Sequence, residues 1–104
     1  FMKKISLFIF FTYIFIYQHV KADNIYDKGK TIFQGQGNCA VCHALVDAGS
    51  NENIGPNLNE IKPDVMRIIN AVTNGIGVMP PYAGELSSEE IEAVAHYVSE
   101  ASNK

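Results

Sequence analysis

The sequence predicts an all-α fold of three to four short helices gathered around a group that the chain itself must hold. Three observations carry this. Apolar residues recur at helical spacing in three separate stretches, around residues 25–33, 65–72 and 91–98. No stretch alternates apolar and polar residues convincingly enough for a strand. The third is Cys39-Ala40-Val41-Cys42-His43, which contains the only two cysteines among 104 residues.

C-x-x-C-H is the attachment signature for a c-type haem. Two thiols separated by two residues can reach both vinyl groups on one edge of a porphyrin, and each forms a thioether. The next residue, His43, then lies under the ring and can place its imidazole on the iron. Three plainer readings compete. A thioredoxin-like redox pair needs a strand-helix context in an alternating α/β chain, and Gly35, Gly37 and Asn38 precede this motif instead. A structural zinc site needs four ligands; beyond residue 22 only Cys39, Cys42, His43 and His96 are on offer, and His43 abuts Cys42 too closely for an easy tetrahedron. A disulfide across so short a loop would stabilise little. The expected fold is therefore three to four short helices wrapped around one covalently attached haem c.

From the N-terminus, Lys3 and Lys4 form a basic start, and Ile5 to Tyr17 is almost purely apolar and aromatic. Val20-Lys21-Ala22 resembles the small-x-small cleavage site of a secretory signal. The apolar run is about a dozen residues, short of the ~20 that span a bilayer stably. Residues 1–22 are read as a signal peptide and residues 23–104 as one mono-haem domain; an uncleaved anchor, the one route to a membrane, is the alternative. Export to the periplasm fits a motif whose thiols must be reduced before attachment and would otherwise pair.

The signal holds Lys3, Lys4 and Lys21 of the 8 basic residues and none of the 11 acidic ones, so the remainder carries 11 acids against 5 bases, a formal charge of −6. Haem propionates would add to it. This disfavours nucleic acid and anionic lipid as partners. At this size one apolar core is marginal, and a covalently held haem supplies a rigid apolar body to fold around.

Residues 25–34 form the first expected helix, with Asn24 or Asp23 as N-cap. Ile25, Gly29, Ile32 and Phe33 make its apolar stripe. A glycine inside a helix costs about 1 kcal/mol relative to alanine, and close approach by another helix is a reason to accept it. Gly35 and Gly37 end the helix. Residues 44–60, rich in Asp, Asn, Gly and Ser, read as an irregular segment long enough to cover something. Residues 63–74 form the second helix: Pro63 suits its first turn, Asp64 its positive end, and Gly75 its stop. Val65, Ile68, Ile69 and Val72 are its buried stripe, with Met66 as core filler beside them. Residues 75–84 are a loop stiffened by Pro80 and Pro81. Residues 86–99 form the last helix, opened by a capping box with Ser87 as N-cap and Glu90 at N3. Ile91, Val94, Ala95 and Val98 form its inner face, Tyr97 its flank, and Glu89, Glu92 and His96 its solvated side.

In this order the features resemble a small class I c-type cytochrome of bacterial type, over residues 25–101. The resemblance rests on Gly29 and Phe33, on Cys39 to His43, on Gly55-Pro56-Asn57-Leu58, on Met79-Pro80, and on Tyr97 in the last helix. It implies thioethers at Cys39 and Cys42 and His43 as proximal ligand through Nε2. The Pro56 carbonyl then accepts the His43 Nδ1–H, which sets the tautomer. Met79 is the distal ligand, and Gly29 and Phe33 meet the last helix near Tyr97.

An argument independent of the resemblance also favours Met79. Beyond residue 22 the candidates for a sixth iron ligand are Met66, Met79, His96 and the lysines. Only Met79 sits in a stiff apolar loop. A thioether favours Fe(II) and raises the potential relative to His/His ligation.

The function expected is a periplasmic electron-transfer protein, not an enzyme, carrying one electron between membrane or soluble redox enzymes. It is read as a monomer that docks redox partner proteins through a basic face on the partner. Ala40, Val41, Val78, Pro80 and Pro81 are expected around the haem edge. The alternatives are a small haem c subunit of a dehydrogenase or oxidase complex, and a five-coordinate haem enzyme or gas sensor.

Overall fold

The computed structural model describes residues 24–104, and the expected signal peptide over residues 1–22 lies outside them. Within that span the regular elements are helices and 3-10 turns, as the sequence led one to expect, together with one minimal sheet that it did not. Helix α1 covers residues 24–34, α2 Leu58–Ile61, α3 Val65–Asn74 and α4 Ser88–Ala101.

Helices α1 and α4 cross at Gly29. A Cβ there would meet the Ala93 carbonyl oxygen at 2.1 Å and Tyr97 Cβ at 2.6 Å, so the two backbones touch where only glycine fits. Phe33 and Tyr97 then pack edge to face, centroids 5.8 Å apart at 64°. Tyr97 is 0% exposed, at the centre of the core instead of on a flank. Ile25, assigned to the buried stripe, is 44% exposed: in the first turn of α1 it is Tyr26, its ring 5.0 Å from that of Tyr97, that faces α4.

Residues 44–60 carry more order than expected. Strands β1 (Ala44–Leu45) and β2 (Ser50–Asn51) pair antiparallel, Leu45 opposite Ser50. Two-residue strands are too short to show alternation. A 3-10 turn at Val46–Ala48 joins them. The Asn57 side chain accepts from Asn59 N and starts α2.

Asp64 is the N-cap of α3, its carboxylate accepting from Arg67 N at 2.8 Å; Pro63 therefore precedes the helix instead of filling its first turn. Ile68 and Val72 are buried, with Val65 and Ile69 packed at the edge. Met66, expected as core filler, is 63% exposed, because it lies on the face of α3 away from α4. The capping box of α4 is present in both directions: Glu90 N donates to Ser87 Oγ at 3.1 Å and Ser87 N to Glu90 Oε1 at 2.8 Å. Glu89, Glu92 and His96 are exposed as expected. No helix among the described residues is long and apolar enough to cross a membrane.

Candidate haem-binding site

The turn after α1 aims the motif. Gly35 N and Gly37 N both donate to Ile32 O, at 3.3 and 2.8 Å, closing the helix. Asn38 takes the left-handed conformation, φ 54°, and opens a 3-10 turn over Cys39–Val41. Cys42 N and His43 N then donate to Cys39 O at 3.1 and 2.9 Å. This single tight turn brings Cys39, Cys42 and His43 onto one cavity. Both thiols are unpaired and half-buried. Burial pushes the Cys39 thiol up to about 11, outweighing a backbone hydrogen bond that lowers it, so without a haem it is protonated at neutral pH.

The His43 ring is held on two sides. Its Nδ1 lies 2.8 Å from the Pro56 carbonyl oxygen, which can only accept; Nδ1 is thus the N–H, and Nε2 keeps its lone pair for a metal. The ring rests on Gly55, where a Cβ would meet its Cε1 at 2.6 Å, Nδ1 at 2.8 Å and Nε2 at 3.0 Å. Gly55 N donates to Cys42 O at 2.7 Å, so the strap that carries Pro56 is tied to the motif it orients.

The cavity has a volume of about 280 Å³. Phe33, Ile68, Val72, Val94 and Val98 wall it, and Ile54 to Pro56 from the long segment cover one side. Arg67 is its one formally charged wall residue among the described residues. Met79 reaches it from the 75–84 loop. Of the groups weighed as a sixth ligand, Met79 alone lines it; Met66, His96 and the lysines do not. Every sequence-predicted site residue, Cys39, Cys42, His43, Pro56 and Met79, is on the wall of this one cavity. Two thiols along one edge, an imidazole with a free Nε2, a thioether and apolar walls fit a haem c.

The plainer readings find little support. The two thiols are not bridged. No group of three or more His, Cys, Asp or Glu among the described residues could hold a metal ion, and His96 is exposed on α4. The sheet is a two-stranded antiparallel ladder, not the parallel frame of a thioredoxin-like site.

Comparison with known proteins agrees. The family model described as "Cytochrome C oxidase, cbb3-type, subunit III" matches residues 24–98. The chain belongs to the c-type cytochromes, as a small class I member. Cytochrome c6 of Microcystis aeruginosa is 40% identical over 74 residues, 67% of this chain and 89% of that protein. Cytochrome c6 of Pyropia yezoensis is 36% identical over 113 aligned positions, covering 98% and 96% of the two chains. Among solved structures, the c-type cytochrome SorU from Sinorhizobium meliloti superimposes with a TM-score of 0.74 at 48% identity, covering 79% of this chain and 95% of that one. This cytochrome is thus a haem c electron-transfer protein, and its cysteines have the family's attachment spacing.

Two residues of the site escaped the sequence. Gly55 carried a signal in the Gly-Pro-Asn-Leu segment, but its contact with the His43 ring did not. Tyr82 carried none. Its hydroxyl donates to Gly37 O at 2.5 Å, 45 positions away. Of the residues expected around the haem edge, Val78 and Pro80 line the cavity; Ala40, Val41 and Pro81 do not.

Proposed function

We propose that this cytochrome is exported to the periplasm, with residues 1–22 removed, and there shuttles one electron between redox enzymes without catalysing a reaction of its own. The haem is held by thioethers at Cys39 and Cys42. His43 Nε2 and Met79 Sδ would ligate its iron, with the Pro56 carbonyl orienting His43. When bound, the haem supplies a one-electron Fe(III)/Fe(II) couple. The protein's own residues do the rest. The hydrogen bond to Pro56 raises the basicity of the imidazole. Met79 adds a soft neutral donor that favours Fe(II). The apolar walls exclude water.

One observation supports this reading above the others: a single apolar cavity carries both thiols, the oriented imidazole and, alone of the candidate sixth ligands, Met79. With His43 and Met79 both on the iron, no position would remain for a substrate or a gas. Optical spectroscopy tests it. The oxidised protein should show the weak near-infrared iron–methionine band. Met79→Ala should abolish that band, lower the potential and admit cyanide or carbon monoxide, whereas Met66→Leu should leave the spectrum as it was. Haem lost on acid-acetone extraction would end the attachment assignment.

For partners we propose a docking face around the cavity mouth. Val78 there is 91% exposed, beside exposed Ile54 and Ile76. Such a patch permits close approach and rapid release. The acid excess favours a monomeric carrier meeting proteins with a basic face.

A second reading is favoured by the match to a family of oxidase subunits: a haem c subunit held permanently in an oxidase or dehydrogenase. Size exclusion of native extract, followed at the haem absorbance, separates the two. A free carrier elutes as a small protein, and a subunit elutes with its complex.

A further inference from the structure

Met79 hangs from a short loop whose own attachments are few. The loop leaves α3 at Gly75, whose N–H donates to Ala71 O at 2.8 Å. Ile76 and Met79 exchange two backbone bonds, 3.1 and 2.9 Å, which curl the loop on itself but tie it to nothing else. Pro80 and Pro81 then contribute no N–H donors. The next residue, Tyr82, is where the loop is caught again. Its N–H donates to Val72 O at 2.8 Å, and its carbonyl accepts from Glu85 N and Leu86 N at 3.0 and 2.9 Å.

The Tyr82 side chain does something different from these local bonds. Its hydroxyl crosses the cavity wall and donates to Gly37 O at 2.5 Å. Among the described residues this is the one hydrogen bond from residues 75–86 to residues 24–57. The acceptor is well fixed. Gly37 N is bonded to Ile32 O, and a Cβ at Gly37 would meet Ile32 O at 3.0 Å and Cys39 Sγ at 3.2 Å. Cys39 Sγ is the other donor near Gly37 O, at 3.7 Å. Conversion of that thiol to a thioether removes its hydrogen, and the Tyr82 hydroxyl is left holding the carbonyl.

We propose that Tyr82 is a positioning residue for Met79: its hydroxyl straps the methionine loop to the segment that carries the haem attachment, and so keeps the thioether on the iron against competing ligands. This rests on Met79 being the distal ligand. The bond connects the two sides of the cavity three residues from Met79. Its loss leaves the ring packed and the backbone bonds intact but lets the loop swing about Gly75 and Tyr82. A net hydrogen bond of ordinary strength shifts such an equilibrium by about tenfold.

Imidazole binding to the ferric holoprotein tests this, since imidazole must displace Met79. Tyr82→Phe keeps the ring and removes only the hydroxyl. Its imidazole affinity should rise about tenfold over wild type, with the near-infrared band lost at correspondingly lower imidazole. The same change made on top of Met79→Ala should leave imidazole affinity where Met79→Ala alone puts it, because no thioether remains to be held. Unchanged affinity in Tyr82→Phe, in a protein whose wild type shows the band, overturns the strap and leaves Met79 ligation standing. An equal gain with and without Met79 also overturns it, because the hydroxyl would then govern access to the iron. A wild type without the band overturns the ligation itself.

Discussion

Tyr97 donates its hydroxyl to the carboxylate of Asp47 at 2.9 Å, across 50 positions of sequence. Tyr26 donates to the same oxygen at 3.0 Å. Lys30 and Lys104 approach the carboxylate at 3.5 and 3.4 Å, and Lys104 also donates to the Tyr26 hydroxyl at 2.7 Å. One side chain in the turn between β1 and β2 thereby fastens α1, α4 and the C-terminal residues. Tyr26 and Tyr97 stack edge to face within this group, centroids 5.0 Å apart.

Asp47→Ala should lower stability by about 2 kcal/mol, because it leaves the buried Tyr97 hydroxyl without its acceptor and removes a charge-assisted bond. In a domain of this size that corresponds to a fall in Tm of about 10 °C. Thermal melts of the holoprotein followed by circular dichroism measure it. A loss below about 0.5 kcal/mol, the scatter of ordinary surface substitutions, would show that water replaces the carboxylate.

The same group sets a pH dependence with two limbs. Burial works to raise the Asp47 carboxyl, but hydrogen bonds from Tyr97 and Tyr26 and the cations Lys104 and Lys30 outweigh it and hold it below the ordinary value. A lowered acid contributes stability that is present above its unfolded value, about 4, and is lost as pH falls through the folded one. Tyr97 is pushed up, first by burial and then by Asp47. A raised phenol contributes stability that is present below its unfolded value, about 10, and is lost as pH rises beyond it. Urea midpoints across pH should fall at both ends. Asp47→Asn should flatten the acid limb, and Tyr97→Phe the alkaline one.

Gly29→Ala should destabilise by about 2 kcal/mol despite the gain of roughly 1 kcal/mol in helix propensity. The new methyl would collide with the Ala93 carbonyl, which belongs to a helix backbone and cannot turn aside. Chemical denaturation decides. A neutral or stabilised variant would mean that α1 and α4 separate more easily than their contact implies.

Gly55→Ala should act on the haem iron more than on the fold. Its methyl would press on the His43 ring, lengthening the 2.8 Å bond to Pro56. A weaker bond makes the imidazole a poorer donor to Fe(III), so the midpoint potential should rise by about 30 mV, the one-electron equivalent of roughly 0.7 kcal/mol. Spectroelectrochemical titration against wild type gives the sign. A fall in potential would contradict the orienting role of Pro56.

Reduction by the native donor should slow as salt rises. Exposed Glu85, Glu89, Glu92 and Glu100 belong to an acid excess that, in the proposed docking, would attract a basic partner, and screening would remove that attraction beyond a Debye length of about 8 Å at physiological ionic strength. Stopped-flow rates across an ionic-strength series check this; a flat or rising profile would reject an attractive acidic surface.

The sequence alone determined what depends on neighbours along the chain. The capping box of α4, the Ile68 and Val72 stripe of α3 and the stop at Gly35 and Gly37 are written in residues a few positions apart, so they were legible. The spacing of Cys39, Cys42 and His43 was legible for the same reason, because one turn of backbone sets it. Gly29 announced a close contact, since glycine within a helix is costly without one.

Only the tertiary structure decided which distant groups meet. Asp47 looked like one more polar loop residue, and nothing local marks it as the acceptor for tyrosines 21 and 50 positions away. Nothing in the 75–84 loop marks Tyr82 either; only the fold brings Gly37 O to its hydroxyl. Met66 and Ile25 were misread because helical periodicity states which residues share a face but not how far the neighbouring helix covers it. Burial is a property of the packed pair of helices, and it appears only once α1 and α3 have each taken their place against α4.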